Sequence, residues 1–229
     1  MIDCTTPKIV AVLSAAGLEK DIEAALDAPP DMVEYRADLR DKVTARGIRA
    51  HLDIVTGALS CPVLFTLRDA REGGGYSGTQ AARVALYKAA LPHVDAVDIE
   101  LRNAAAAARL RADIAKHGVT LVLSYHNFEA TPVARELDAM VAQGVTHHAD
   151  IVKIATLCRT GSEALRLLAL PVKHPGTKIA VVGMGARGRA VRAVAPSFGS
   201  VLGYASASRA VASGQLAVSE LRHVWRLLE

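Results

Sequence analysis

Short runs of aliphatic and β-branched residues alternate along the chain with longer segments whose apolar positions recur every three to four residues. The first pattern marks buried strands and the second marks helices packed on one face. In order, residues 8–13 (KIVAVL) predict a strand, and 18–28 a helix stopped by Pro29-Pro30. A second strand at 32–36 precedes a helix around 43–55. A third at 63–67 leads into the loop EGGGYSG and a helix from about 79 to 91. Residues 96–101 predict the fourth strand, and the alanine-rich 104–117, closed by Gly118, its helix. After a fifth strand at 120–125, Thr131-Pro132 reads as an N-cap with proline in the first turn, opening a helix that reaches Gln143. The sixth strand covers 149–155. Thr160 and Glu163 then have capping-box spacing and open a short helix expected to end before Pro171. A seventh strand at 178–182, a helix over 186–195 and an eighth strand at 200–204 follow. Val218, Leu221, Val224, Trp225 and Leu228 form the stripe of a last helix.

Eight strand–helix units at even spacing, with no linker or low-complexity segment, predict an α/β fold. The expected form is a (β/α)8 TIM barrel spanning residues 1–229 as one domain, with an open doubly wound sheet as the alternative. A chain of 229 residues, 51% of them hydrophobic, is long enough for one large core. No run approaches the roughly 18 consecutive apolar residues of a membrane span. The start, MIDCTTPK, is polar rather than a secretory signal. Cys4, Cys61 and Cys158 are widely spaced, as expected in a reducing compartment. The expectation is a soluble cytoplasmic protein with no membrane partner. The net charge is +4, yet the basic residues are scattered and aromatics make up only 4%. That argues against nucleic acid and leaves a small anionic molecule as the partner. His147 and His148 are adjacent and offer no facing third ligand, so no metal is expected.

The sixth strand carries the most informative residue. Lys153 stands in Ala149-Asp-Ile-Val-Lys-Ile-Ala155, a lysine among apolar neighbours. Desolvation disfavours an ammonium, and a neutral amine is a nucleophile of the kind that forms Schiff bases. A lysine reaching past the strand end to solvent is the plainer reading. The C-terminal strand ends, where barrels carry their chemistry, are polar throughout. Glu34 and Arg36 share one face, as do Asp98 and Glu100, and Ser124 and His126; Arg68 closes the third strand and Glu72 follows it. An ion-pair network bracing the barrel mouth accounts for some of these and is compatible with a reactive centre. His126 lies one strand before Lys153, and a neutral imidazole suits proton transfer, with Glu72 or Glu100 available to fix its tautomer. Gly183-Met-Gly-Ala-Arg-Gly188 matches a dinucleotide fingerprint, but the acidic residue expected about 20 positions on is missing. NAD is therefore excluded, while an anion at that helix N-terminus remains reasonable.

These residues resemble type I 3-dehydroquinate dehydratase, the Schiff-base enzyme of the shikimate pathway. The resemblance rests on EYRAD (34–38), FTLRDAREGG (65–74), VDIEL (97–101), SYHNFEATP (124–132), ADIVKIA (149–155), GMGARGRAVR (183–192), FGS (198–200) and a late GQ (214–215), in order along nearly the whole chain. It implies a (β/α)8 barrel with no metal or organic cofactor, Lys153 as the Schiff-base residue, His126 as the proton shuttle and Glu72 as its orienting partner. It also implies that Glu34, Arg36 and Arg68 hold ring hydroxyls and order the pocket, that Arg192 pairs with the substrate carboxylate, that Met184 and Tyr204 line the ring, and that Gln215 comes from a closing loop. A homodimer is the candidate assembly. The chain departs from the family at Asn127, where aspartate is common, at Val191, where serine is frequent, and at Tyr204, commonly phenylalanine. Val211 and Ser213 stand where the loop usually reads Ser-Ala-Pro-Gly-Gln, and little chain precedes strand one to form the hairpin that often plugs the barrel. Two other readings stay open from the sequence: a class I aldolase holding a phosphate at GMGARG, and a non-catalytic barrel that binds an anion.

Overall fold

The computed structural model describes residues 1–208 and 214–228. Its strands are β1 (Lys8–Ser14), β2 (Met32–Arg36), β3 (Val63–Thr66), β4 (Ala96–Glu100), β5 (Thr120–Asn127), β6 (Ile151–Leu157), β7 (Ile179–Met184) and β8 (Leu202–Ser206). Helices α1 (Leu18–Asp27), α2 (Ala45–Ala58), α3 (Gln80–Ala90), α4 (Ala104–His117), α5 (Ala134–Thr146), α6 (Gly161–Lys173), α7 (Gly185–Val194) and α8 (Val218–Leu228) follow the strands in turn. The parallel sheet runs β7-β6-β5-β4-β3-β2-β1-β8, which sets aside the doubly wound alternative. Between β7 and β8 there is a seam rather than a ladder. Val201 N–H donates to Ile179 O at 2.9 Å and Val181 N–H to Ser200 Oγ at 3.0 Å. The result is a nearly closed barrel.

The period of two in each strand divides the core. Val10, Met32, Leu64, Ala96, Val122, Ile151, Ala180 and Leu202 meet inside the barrel. The alternate residues, such as Ile9, Val33, Phe65, Val97, Val152 and Val181, pack outward against the helices. Two residues further along β2 to β6 the same inward face turns polar: Glu34, Thr66, Asp98, Ser124 and Lys153 follow the apolar layer, while β1 and β7 carry Val12 and Val182 there. The lower end is closed by the N-terminal segment, where Ile2 and Cys4 pack on the interior cluster and Ile2 N–H donates to Thr120 Oγ1 at 2.8 Å. A recurring aspartate sets the strand starts. Asp31, Asp95 and Asp150, each just before an even-numbered strand, accept from the N–H of Ile9, Val63 and Leu121 in the strand before it.

Two local expectations fail. Thr131 does not cap α5, which starts at Ala134 after Val133. Its hydroxyl instead donates to Leu157 O and accepts from Thr156 at 2.8 Å, joining the loop to β6. Pro171 does not end α6, which continues to Lys173. A proline in the last turn removes only one helical N–H, and the buried Pro171 ring packs beside Gly199 while His174 N–H still reaches Leu170 O.

Candidate active site

The ten residues to which the resemblance gives a role line one cavity of about 350 Å³ at the C-terminal end of the barrel: Glu34, Arg36, Arg68, Glu72, His126, Lys153, Met184, Arg192, Tyr204 and Gln215. Lys153 is 4% exposed, but it is not alone among apolar groups. Its Nζ donates to Asp98 Oδ2 at 2.9 Å and lies 3.6 Å from Glu34 Oε1 and 3.9 Å from the centre of the Tyr204 ring. The amine that its strand neighbours isolate along the chain meets, across the barrel interior, two of the carboxylates that the sequence places at the polar strand ends.

Asp98 is the pivot of this group. Its Oδ2 accepts from both Lys153 and Arg68 Nη2, and its Oδ1 from Ser124 Oγ at 2.5 Å. Burial alone would raise its carboxyl, but the Arg68 guanidinium and the Lys153 amine outweigh this and hold it below the usual carboxylate range. Arg68 Nη1 donates to Glu100 Oε1 and Ser124 Oγ, so this guanidinium orders the cavity wall. Glu100 is fully engaged as well, accepting from Arg68, Asp69 N–H, Arg83 and Asn103. That leaves Glu72 as the partner of His126. Glu72 Oε2 accepts from His126 N–H at 2.9 Å and faces its Nδ1 at 3.1 Å.

Register fixes where His126 sits. Ser124 stands opposite Lys153 and His126 opposite Ala155, so the imidazole lies one strand over and one layer above the amine. Burial, with the Arg68 and Lys153 cations adding, pushes the imidazole well below its ordinary value, Asp98 opposing; it is a neutral base at neutral pH. Glu72 is pushed up to about 7, by burial first, with Arg68 opposing and Glu100 reinforcing the rise.

Arg36 is aimed by a residue that received no role from the sequence. Asp38 accepts from its Nε and Nη2, both at 2.8 Å, and also from Gly75 N–H. The spacing Arg-x-Asp in EYRAD was the available signal. Asp98 was likewise visible on the inward face of β4, but nothing local to it names Lys153, 55 residues away, as its partner.

Arg192 combines two tasks. Its Nε donates to Gly183 O at 2.7 Å and its Nη1 to Tyr204 O at 3.0 Å, pinning β8 to β7 where the ladder is missing. It is 3% exposed, and burial lowers it to about 10; among the described residues no carboxylate pairs with it. The glycines of GMGARG serve this packing. A Cβ on Gly183 would lie 2.6 Å from Gly188 O, and one on Gly188 would lie 2.4 Å from the Gly183 carbonyl carbon. Gln215 is held beside the same turn, since Gly214 (φ +80°) lies against Gly185 and Ser206 N–H donates to Leu216 O. Val211 and Ser213 fall outside the described residues.

Among the described residues the buried Tyr204 hydroxyl has no hydrogen-bond partner, a loss of about 1–3 kcal/mol for a buried polar group left unpaired. Tyr204→Phe is expected to raise the melting temperature while leaving the ring over Lys153. Thermal unfolding checks this, and a lower melting temperature would show that the hydroxyl is partnered.

A sequence model of the family described as Type I 3-dehydroquinase matches residues 9–229. The chain belongs to that family. It is 33% identical to the 3-dehydroquinate dehydratase of Methanococcoides burtonii, over 97% of this chain and 95% of the relative. It is 37% identical to that of Methanosarcina acetivorans, over 96% and 94%. Among solved structures, the type I 3-dehydroquinate dehydratase of Clostridium difficile, crystallised with covalently modified comenic acid, superposes with a TM-score of 0.91 at 26% identity, covering 97% of this chain and 92% of that one. The family is one of hydro-lyases of the shikimate pathway, so the aldolase and the non-catalytic barrel left open by the sequence fall away. Among the described residues no helix is long and apolar enough to cross a membrane.

Proposed function

We propose that this chain dehydrates 3-dehydroquinate to 3-dehydroshikimate through an iminium on Lys153. The observation that carries the reading is the grouping of an inward lysine, a neutral histidine and an uncompensated buried arginine around one cavity. Lys153, having released a proton to water, attacks the C3 ketone; the carbinolamine hydroxyl takes up a proton and leaves as water, giving the iminium. The iminium nitrogen carries the positive charge that the ammonium carried, so Asp98 and Glu34, which face the ammonium, face the iminium as well and its burial needs no new counter-charge. The iminium draws electrons from C2. His126 removes the C2 proton, with Nδ1 turned to Glu72 and Nε2 as the base, then returns a proton to the departing C1 hydroxyl. Water leaves, and hydrolysis of the imine frees the product and Lys153. Glu34, Arg36 and Gln215 hold the ring hydroxyls, and Met184 and Tyr204 border the ring.

Arg192 holds the substrate carboxylate with the edge of its guanidinium not engaged by the two backbone carbonyls. Arg192→Ala is expected to raise KM about 10- to 150-fold, the equivalent of about 1.5–3 kcal/mol for a charge-assisted pair. It should also lower the melting temperature, because Gly183 O and Tyr204 O lose their donors. Arg192→Lys recovers part of the binding. Equal wild-type affinity for the substrate and its neutral amide contradicts the carboxylate assignment.

The purified protein tests the reading directly: 3-dehydroquinate should give the conjugated enone of 3-dehydroshikimate, followed by ultraviolet absorbance without added metal or cofactor. A preparation that is folded yet leaves the substrate unchanged contradicts it. A homodimer and a cytoplasmic location accompany this reading, and sedimentation velocity tests the first.

A further inference from the structure

The two oxygens of Glu72 have different surroundings. Oε2 is taken up by His126, through its N–H and its Nδ1. Oε1 is faced at 3.5 Å by Nε of Arg102, from the turn Leu101–Asn103 after β4. The Arg102 side chain is 42% exposed and does not line the cavity, so it stands behind the site rather than in it. The charged groups that face Glu72 are Arg68 from the end of β3, Glu100 from the end of β4, His126 from β5, and Arg102. Arg71, on the same turn as Glu72, is drawn onto Asp69 by two hydrogen bonds from its guanidinium. Arg68 is shared among Asp98, Glu100 and Ser124. Among the described residues, Arg102 is thus the cation near Glu72 that pairs with no other carboxylate.

We propose that Arg102 is a positioning residue for the reaction: its charge favours the carboxylate form of Glu72 and so favours His126 as the Nδ1–H tautomer, with Nε2 the basic nitrogen. The proposal rests on the assignment of His126 and Glu72 made above. An ionised Glu72 can only accept, so Nδ1 must carry the proton. A protonated Glu72 can donate to Nδ1, which moves the ring proton to Nε2 and leaves that nitrogen unable to take a proton from substrate. Burial, opposed by Arg68 and Arg102 among others, leaves Glu72 pushed up to about 7, so the balance between these states falls in the working pH range and loss of the Arg102 charge would shift it further toward the protonated form. At 3.5 Å and half exposed, Arg102 acts as a charge across a gap, with an effect that is modest and weakened by salt.

The test is the pH profile of kcat/KM. On the acid side the wild type loses activity with an apparent value that belongs to the coupled Glu72–His126 pair. Removing a cation favours protonation of both groups, so Arg102→Gln is expected to move the acid limb upward by about 0.3–0.7 in pH. Arg102→Lys keeps the charge and should hold the limb within about 0.2 of the wild type. The difference between Arg102→Gln and wild type narrows as pH rises and as salt is added. In a Glu72→Gln background, Arg102→Gln should move the limb by less than half as much. An unmoved limb in Arg102→Gln overturns the proposal, as does an equal displacement with and without Glu72. If Glu72→Gln itself keeps full activity and the wild-type limb, the underlying assignment of Glu72 fails and the proposal fails with it; the two failures are thereby told apart.

Discussion

Lys153→Ala is expected to fold and to lose turnover by at least about 10⁴-fold, because no other side chain in the cavity can supply the amine of the covalent step. Folding is expected to survive for a structural reason. Asp98, the partner that Lys153 leaves behind, keeps Arg68 Nη2 on one oxygen and Ser124 Oγ on the other. A buried carboxylate stripped of every partner would cost about 3–5 kcal/mol; one that retains a guanidinium and a hydroxyl costs less. Circular dichroism and thermal unfolding establish the fold, and a steady-state assay establishes the loss. A folded variant that keeps a tenth of wild-type turnover contradicts a covalent role for this lysine.

His126→Ala is expected to divide the reaction in two. The amine remains, so an iminium still forms, more slowly, while elimination falls by about 10² to 10⁴-fold. The deletion should disturb little else, since Glu72 retains the backbone N–H of residue 126 and its neighbour Arg102. Single-turnover measurement with borohydride quenching separates adduct formation from product release. If no adduct can be trapped after long incubation, His126 is needed for imine formation as well, and the separation of roles is wrong.

Much of this was legible in the sequence, for reasons particular residues make plain. The period of two in β2, β4, β5 and β6 places Glu34, Asp98, Ser124 and Lys153 two positions beyond apolar residues that fill the barrel, so they share its inward face. Barrel strands are neighbours in chain order, which places His126 on the strand beside that of Lys153. What the residue pattern alone left open was pairing, and for His126 only the resemblance named Glu72. Whether Lys153 meets Asp98 or Glu100, and whether His126 meets Glu72 or Glu100, depends on the stagger between strands, which no local pattern encodes. Thr131 shows the opposite error: a valid capping signal was overridden by contact with Thr156, 25 residues on. Pro171 shows that a helix breaker in the last turn is weaker than the burial of its ring. In GMGARG the glycines that the sequence matches to a dinucleotide fingerprint allow close packing of β7 on α7, with the Gly183 carbonyl accepting from Arg192.

The measurement that bears most directly on the central claim is borohydride reduction in the presence of 3-dehydroquinate, followed by mass spectrometry of the digested protein. The account predicts one reduced adduct per chain, on the peptide that contains Lys153, and its absence when borohydride or substrate is omitted. An active preparation that gains no mass, or gains it on another lysine, contradicts it.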